Sequence, residues 1–98
     1  IYFSVNGTFV SSGDPTSGSS GTGGYTLGSG TNEYFFMVGD SRDGNTSVFT
    51  ANFGNGYFGT TAVSSAQNPD DGIGIFEYDV PTGYRALCTK SINAEEYS

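Results

Sequence analysis

The chain has 98 residues and a mass of 10.2 kDa, which allows one small domain or part of one. Only three Lys and Arg accompany ten Asp and Glu, so the net charge of −7 excludes the basic face that nucleic acids or anionic membranes require. With no histidine and one cysteine, the chain cannot supply the usual zinc sites, an internal disulfide, or Ser-His-Asp or Cys-His catalysis.

The composition favours β structure over helix or disorder. Aromatic residues make up 15% of the chain and charged residues 13%, whereas disordered chains are poor in aromatics and rich in charge. The 16 glycines, together with many Ser, Thr and Asn, are typical of short strands joined by polar turns. The longest apolar run, Tyr34–Val38, falls far short of the roughly 20 residues that a membrane-spanning helix needs.

Residues 1–10 carry the clearest local signal. Two apolar runs flank Asn6-Gly7, the dipeptide preferred in a two-residue hairpin turn because both positions need positive φ. Residues 11–32 contain almost no hydrophobic side chains except Tyr25 and Leu27. Such a long stretch is either a functional loop or a connection held down by these two residues.

The rest of the chain predicts three further strands and no helix. The apolar run 33–39 and the β-rich run 47–53 predict strands, and the alternation in 75–80 places Glu77 and Asp79 on one face. Polar composition predicts a turn at 40–46 and a loop at 54–74. After a short last element at 84–88, we expect residues 89–98 to form a frayed polar tail.

Three stretches together carry a family resemblance: the hairpin of residues 2–9 followed by residues 12–15, residues 51–56 (Ala-Asn-Phe-Gly-Asn-Gly) and residues 76–90 (Phe-Glu-Tyr-Asp-Val-Pro-Thr-Gly-Tyr-Arg-Ala-Leu-Cys-Thr-Lys). They resemble the C-terminal half of SPRY-like domains in tail-fibre and other structural proteins of marine bacteriophages and algal viruses. Residues 76–90 are the most specific part, because that family places a Pro-x-Gly turn and an aromatic-Lys/Arg-Ala-Leu-x-Thr segment after a strand ending in Asn-Phe-Gly. The motif positions are Asn52, Phe53, Gly54, Pro81, Gly83 and Tyr84.

The resemblance implies an all-β fold, an antiparallel concanavalin-like β-sandwich of which only the C-terminal portion is present. Residues 1–90 would form that portion and residues 91–98 a polar tail or linker. We therefore expect the chain not to fold alone. Independently of the family, Gly54 and Gly83 can take positive φ at strand ends, and Phe53 and Tyr84 would close the open end of a sandwich as aromatic plugs.

The same resemblance implies a non-enzymatic structural module of a virion appendage. Loops 11–32, 40–46 and 54–74 would recognise a glycan or a protein on the host surface, and other virion or fibre subunits, including copies of the chain itself, would be its assembly partners. The alternative is a purely architectural subunit of a fibre, a capsid decoration or an extracellular filament. No nucleic-acid or membrane partner is expected.

Five loop residues are candidates for ligand binding. Exposed aromatic rings can stack on sugars, while Asp, Asn and Arg side chains can bind sugar hydroxyls, and loops on a rigid scaffold commonly carry such residues. The candidates are Tyr25, Asp40, Arg42, Asn45 and Tyr57. For Tyr25 and Tyr57 the alternative is that each holds its own loop in place.

No cofactor is expected, although four carboxylates are weak candidates for calcium: Asp40, Asp43, Asp70 and Asp71. The alternative is that both groups form Asx-type turns. Glu77 and Asp79 also resemble part of the Glu-x-Asp-x-Glu motif of some concanavalin-like glycosidases. The third position is Pro81, so the second catalytic carboxylate is missing and a solvated strand face is the competing interpretation.

Overall fold

The computed structural model describes residues 1–28, 30–41, 44 and 46–97. In chain order its elements are β1 (Ser4–Val5), β2 (Thr8–Phe9), 3-10 turns at Val10–Ser12 and Gly18–Ser20, β3 (Tyr57–Phe58), β4 (Thr61–Ala62) and helix α1 (Thr89–Tyr97). The strands form two separate antiparallel sheets of two strands each, β1-β2 and β3-β4. The predicted all-β sandwich is therefore wrong for these residues, because no sheet has the further paired strands that a sandwich layer requires.

The first hairpin is confirmed. Ser4 pairs with Phe9 and Val5 with Thr8, and the turn residues Asn6 and Gly7 have φ of 51° and 83°. Gly7 is required for a second reason, since a Cβ at this position would lie 2.8 Å from Cδ1 of Tyr78. The turn thus packs against a ring from the other end of the chain.

The long polar stretch after this hairpin folds back onto it. The backbone N–H of Tyr25 donates to the carbonyl oxygen of Ile1 at 2.8 Å, and the Tyr25 ring meets Phe3 edge-on with centroids 5.6 Å apart. Within the loop, the N–H of Asp14 donates to the carbonyl oxygen of Thr22 at 2.9 Å. In the described part of 11–32, Tyr25 therefore holds the connection against the first hairpin, which is one of the two alternatives considered for this stretch.

The strands predicted at 33–39 and 47–53 are not formed. Residues 33–40 form an extended segment that we term the first arm, and residues 47–53 form the second arm. They lie side by side, joined by a 2.8 Å hydrogen bond from the Ser47 hydroxyl to Oδ2 of Asp40 and by a T-shaped contact between Phe36 and Phe53. No backbone hydrogen bond joins residues 34–38 to any other described residue. The composition of this segment favours a strand, but the described part of the chain offers no neighbouring strand to form a hydrogen-bonded ladder with it.

The strand predicted at 75–80 is reduced to two isolated bridges. Ile75 bridges Asn55 in parallel and Phe76 bridges Gln67 in antiparallel fashion, after which the chain bends at Glu77. The β3-β4 hairpin instead lies inside the segment 54–74, which was predicted to be a loop.

Helix α1 replaces the predicted frayed tail. Its attachment is polar: Ser91 is 2% exposed, and Oε2 of Glu95 lies 3.0 Å from Nε of Arg85. Ile92 is 56% exposed, so no large apolar side chain among residues 89–96 is buried against the rest of the chain. Sequence periodicity therefore contained no helix signal here.

Burial in the described chain is small and centres on small residues. Only Gly56, Pro69, Ala86 and Ser91 are buried among the described residues. The accessible surface is 7722 Å², against the about 5,300 Å² that size scaling gives for a folded monomer of this mass. The radius of gyration is 15.3 Å, against about 13 Å for a compact domain of this length. Most apolar side chains therefore remain in contact with solvent.

We predict that Gly74→Ala loosens the packing around Ala86. Gly74 has φ of 115°, and an added Cβ would lie 2.8 Å from Cε2 of Phe76 and 3.1 Å from Cβ of Ala86. Backbone strain of this kind costs about 1–3 kcal/mol, so amide exchange at Gln67 and Phe76 should accelerate about tenfold or more. Gly39→Ala, with no neighbouring atom within 4 Å, is the matched control. Equal protection in both variants would contradict the prediction.

Candidate functional site

A cleft of about 380 Å³ lies where the hairpins and the segment 76–87 meet. This aromatic cleft is lined by Ser4, Phe9, Asn52, Phe53, Phe58, Phe76, Glu77, Tyr78, Asp79, Val80, Pro81, Arg85, Ala86 and Leu87. Its volume lies at the lower end of the 300–1,000 Å³ usual for small-ligand pockets, and it combines apolar walls with a few charged groups. A neighbouring depression of about 560 Å³ is lined by ten residues, of which three are glycines and only Asn55 and Lys90 carry strongly polar side chains, so it offers fewer groups for recognition.

The Asn-Phe-Gly motif, residues 52–54, positions the side chains that form one wall of this cleft. The Asn52 amide nitrogen donates to the carbonyl oxygen of Ile75 at 3.0 Å, while its Oδ1 accepts the N–H of Gly54 at 2.7 Å. Gly54 adopts φ of 123°, which confirms the predicted positive φ. The side chain of Asn52 thereby fixes the direction in which Phe53 projects. Phe53 lines the cleft and contacts Phe36. The prediction that Phe53 plugs the end of a sandwich is therefore wrong.

The Pro-Thr-Gly-Tyr segment forms a turn at the cleft edge. The N–H of Tyr84 donates to the carbonyl oxygen of Pro81 at 3.1 Å, and Gly83 has the predicted positive φ, at 89°. Asp70 supports the turn by accepting the N–H of Gly83 at 3.3 Å. The Tyr84 hydroxyl donates to the carbonyl oxygen of Pro15 at 2.8 Å, so this residue ties the turn to the first loop instead of plugging a sandwich.

Glu77 is the carboxylate whose environment is best defined. It accepts a 2.7 Å hydrogen bond from the backbone N–H of Ser64 and another from the Ser64 hydroxyl. The hydroxyl, followed by the N–H, lowers the pKa of Glu77 below its ordinary value of 4.5. A lowered pKa suits a permanently ionised acceptor, whereas the general acid of a glycosidase needs a raised pKa.

Arg85 supplies the positive charge of the cleft. Its guanidinium lies 3.1 Å from Oδ2 of Asp71 and 3.0 Å from Oε2 of Glu95. The two carboxylates therefore connect the cleft wall to the turn at 69–72 and to helix α1. Because the guanidinium fork has several donors in fixed directions, two ion pairs orient it while leaving it at the cleft surface.

These groups give the cleft a specific binding chemistry. Phenylalanine rings from four separate segments form apolar surface, and Glu77, Asp79 and Arg85 add charged hydrogen-bonding groups. Such a surface can stack the apolar face of a sugar ring or an apolar side chain while the charged groups bind hydroxyls or amides. It is therefore suited to binding a small amphipathic group.

The three candidate ligand residues that the structure describes lie outside the aromatic cleft. Tyr25 packs on Phe3, Asp40 accepts the Ser47 hydroxyl, and Tyr57 lies in β3 with its N–H donating to Oδ1 of Asn55 at 3.1 Å. None of these three lines the aromatic cleft. Arg42 and Asn45 lie outside the described residues. The binding role of all five stays a prediction.

The weak calcium candidates are partly accounted for by local hydrogen bonds. Asp71 accepts the N–H of Ile73 at 3.0 Å through Oδ1 and binds Arg85 through Oδ2. The bond from Ile73 is that of an Asx-type turn at Asp71, whereas Asp70 accepts the N–H of the distant Gly83. Among the described residues no three His, Cys, Asp or Glu side chains group closely enough to hold a metal ion. Asp43 lies outside the described residues, and calcium binding stays a prediction.

Three rings of the cleft were not anticipated, namely Phe9, Phe58 and Phe76. The alternation of residues 75–80 placed Phe76 and Val80 on one face, but sequence offered no sign that β2 and β3 would meet that face. These contacts join residues far apart in the chain, and only the fold reveals them.

In comparisons with protein-family models, curated proteins and solved structures, nothing matches the chain. The resemblance to SPRY-like domains accordingly stays a prediction. No helix in the described part of the chain has the length and apolar character needed to cross a membrane.

We predict that the Glu77 pKa depends on the Ser64 side chain. Because the folded-state pKa lies below the ordinary 4.5, the bonds to Ser64 stabilise the fold above that pH and are lost as the pH falls below it through the folded pKa. An NMR titration of the Glu77 carboxyl carbon should show the pKa rising toward its ordinary value in Ser64→Ala. Ser65→Ala removes a neighbouring hydroxyl and should leave it unchanged. A Ser64→Ala curve that overlays the wild-type curve would refute the assignment.

Proposed function

We propose that the chain is a non-enzymatic structural module that functions within an assembly of subunits. The supporting observation is its unburied apolar surface. The accessible surface exceeds that of a typical folded monomer of this mass by roughly 2,400 Å². Obligate interfaces bury about 2,000 Å² or more in total, which is about 1,000 Å² or more on each partner, so an excess of this size is ample for such an interface. A virion or fibre location comes from the family resemblance alone and stays a prediction.

The distribution of the exposed side chains supports the same proposal. Large apolar residues are exposed on the first hairpin, on both arms and around the segment 75–87. Scattered exposed apolar residues are normal on a soluble protein, whereas contiguous groups of them mark interaction sites. The arms form such a contiguous group, because Phe36, Val38, Phe49 and Phe53 line one shared groove.

Ligand recognition is a second candidate function, favoured by the aromatic cleft. In this proposal the cleft binds a sugar or an apolar side chain of a host-surface ligand. The lowered pKa of Glu77 suits recognition better than acid catalysis, because an ionised carboxylate accepts hydrogen bonds from ligand hydroxyls across the physiological pH range. Both functions can coexist, since the cleft and the arms share only Asn52 and Phe53.

We predict that the chain associates as its concentration rises. Sedimentation velocity should give a mass that increases from 10.2 kDa toward a discrete multiple, while binding of a hydrophobic dye such as anilinonaphthalene sulfonate decreases. Higher salt should strengthen association, because it screens the repulsion between copies of net charge −7. A chain that stays monomeric and dye-binding at millimolar concentration would contradict the assembly function.

We predict that ligand binding on a glycan array or on host cells depends on Phe58 more than on its neighbour Tyr57. Phe58 lines the aromatic cleft, whereas Tyr57 points away from it in the same strand. Phe58→Ala should lower affinity about tenfold, the scale expected for a lost aromatic platform. Tyr57→Ala is the matched control. The opposite ranking would favour Tyr57 as the aromatic platform, and no binding above background would remove the recognition function.

A further inference from the structure

The exposure of the first arm alternates along the chain. Phe35 and Met37 are 84% and 87% exposed, whereas Tyr34, Phe36 and Val38 are 54%, 69% and 49% exposed. A period of two is the signature of extended backbone, whose successive side chains point to opposite sides. The structure also places no helix, turn or bend between residues 32 and 41. The arm is therefore an extended segment, although it has no paired neighbour in the described part of the chain and so forms no strand there.

This arm lacks the partner that a strand needs. The backbone N–H and C=O groups of residues 34–38 make no backbone hydrogen bond to any other described residue. An extended, apolar segment whose backbone groups make no ladder is a template for pairing with another strand. Its inner side chains are partly covered by the second arm, through the contact of Phe36 with Phe53. The two outermost, Phe35 and Met37, are uncovered.

The exposed area is large enough for a dimer interface. Summed over both arms, the exposed apolar side chains offer about 900 Å² per copy, taking about 200 Å² for a fully exposed aromatic side chain. A stable, specific interface buries about 800 Å² on each partner. The largest apolar patch of an ordinary monomer covers only about 300–600 Å². The exposed apolar surface of the two arms is therefore comparable in size with one side of a standard interface.

We propose that residues 34–38 pair antiparallel with the same residues of a second copy, about a twofold axis at Phe36. This inference rests on the assembly function proposed above and assigns its interface. In this register Phe35 lies opposite Met37 of the other copy, and Tyr34 lies opposite Val38. Such cross-strand pairs of aromatic and aliphatic side chains stabilise a two-stranded sheet. The interface is self-complementary, as a twofold dimer requires.

Charge distinguishes this arrangement from a parallel one. Glu33 and Asp40 flank the apolar run. In the antiparallel register Glu33 lies opposite Gly39, and Asp40 lies opposite Asn32, so no two carboxylates face each other. A parallel in-register pair would place Glu33 opposite Glu33 and Asp40 opposite Asp40. Like charges directly opposite one another are destabilising in a chain that already carries a net charge of −7.

Charge-swap variants of the complete 98-residue chain test the register. Phe35→Lys and Met37→Glu, made singly, each place an unpaired charge against an apolar partner, and each should weaken dimerisation about tenfold or more. The double variant Phe35→Lys/Met37→Glu places opposite charges across both pairs, so its dimerisation should recover to within about threefold of wild type. Thr60→Lys, at an exposed polar position of the turn between β3 and β4, adds the same charge outside the apolar surface and should leave the dissociation constant unchanged. The readout is the dissociation constant from sedimentation velocity.

The possible outcomes separate this interface from the assembly function. A discrete oligomer that survives both single substitutions overturns the pairing at Phe36 while leaving assembly in place. Single variants that weaken association without recovery in the double variant overturn the antiparallel register, because parallel pairing would set Lys against Lys and Glu against Glu. A wild-type chain that is monomeric at millimolar concentration refutes both proposals. In that case a different protein, and not a second copy of the chain, binds the arms.

Discussion

The packing of Ala86 between two glycines is the contact on which the rest of the described structure depends. Cβ atoms built on Gly54 and Gly74 would lie 3.5 Å and 3.1 Å from the Ala86 methyl group, so three distant segments meet at this point with almost no side-chain volume between them. A close approach of this kind needs residues without Cβ atoms, and the φ of 123° and 115° at these positions needs glycine as well. The Asn52 bond to Ile75, the bridges of Ile75 and Phe76, and the aromatic cleft are all built around this junction.

A junction of small residues holds segments together without burying much apolar area. The free energy that offsets chain entropy comes chiefly from buried apolar surface, and Ala86 supplies little of it. Polar contacts carry much of the remaining organisation, as in the attachment of helix α1 through Ser91 and Arg85. Exposed ion pairs such as Arg85 with Glu95 contribute only about 0–1 kcal/mol each. The largest further stabilisation of the described fold would therefore come from partners that bury the apolar residues it leaves exposed.

Local turn chemistry was the part of this structure that sequence could predict. Asn6-Gly7 fixed a hairpin because the required φ values belong to those residue types, and Gly83 was assigned positive φ for the same reason. The prediction of strands at 33–39 and 47–53 was wrong because composition indicates only which conformation a segment favours, whereas a strand also needs a hydrogen-bonded neighbour. Helix α1 was missed because its buried residue is Ser91. Phe53 and Pro81 of the cleft were singled out by motif, but Phe9 and Phe58 reach it through long-range contacts that no local pattern encodes.

The acidic composition and the apolar arms have opposing effects on association, and their combination favours specificity. A net charge of −7 repels copies approaching in arbitrary orientations, which opposes aggregation of a chain with so much uncovered apolar surface. The five residues Tyr34–Val38 contain no charge, so repulsion is weakest where the apolar contact is greatest. Glu33 and Asp40 at the ends of this run further limit which registers are compatible with close approach. Charged residues on edge strands restrict edge pairing, and here they disfavour the parallel in-register arrangement, in which carboxylates would face each other.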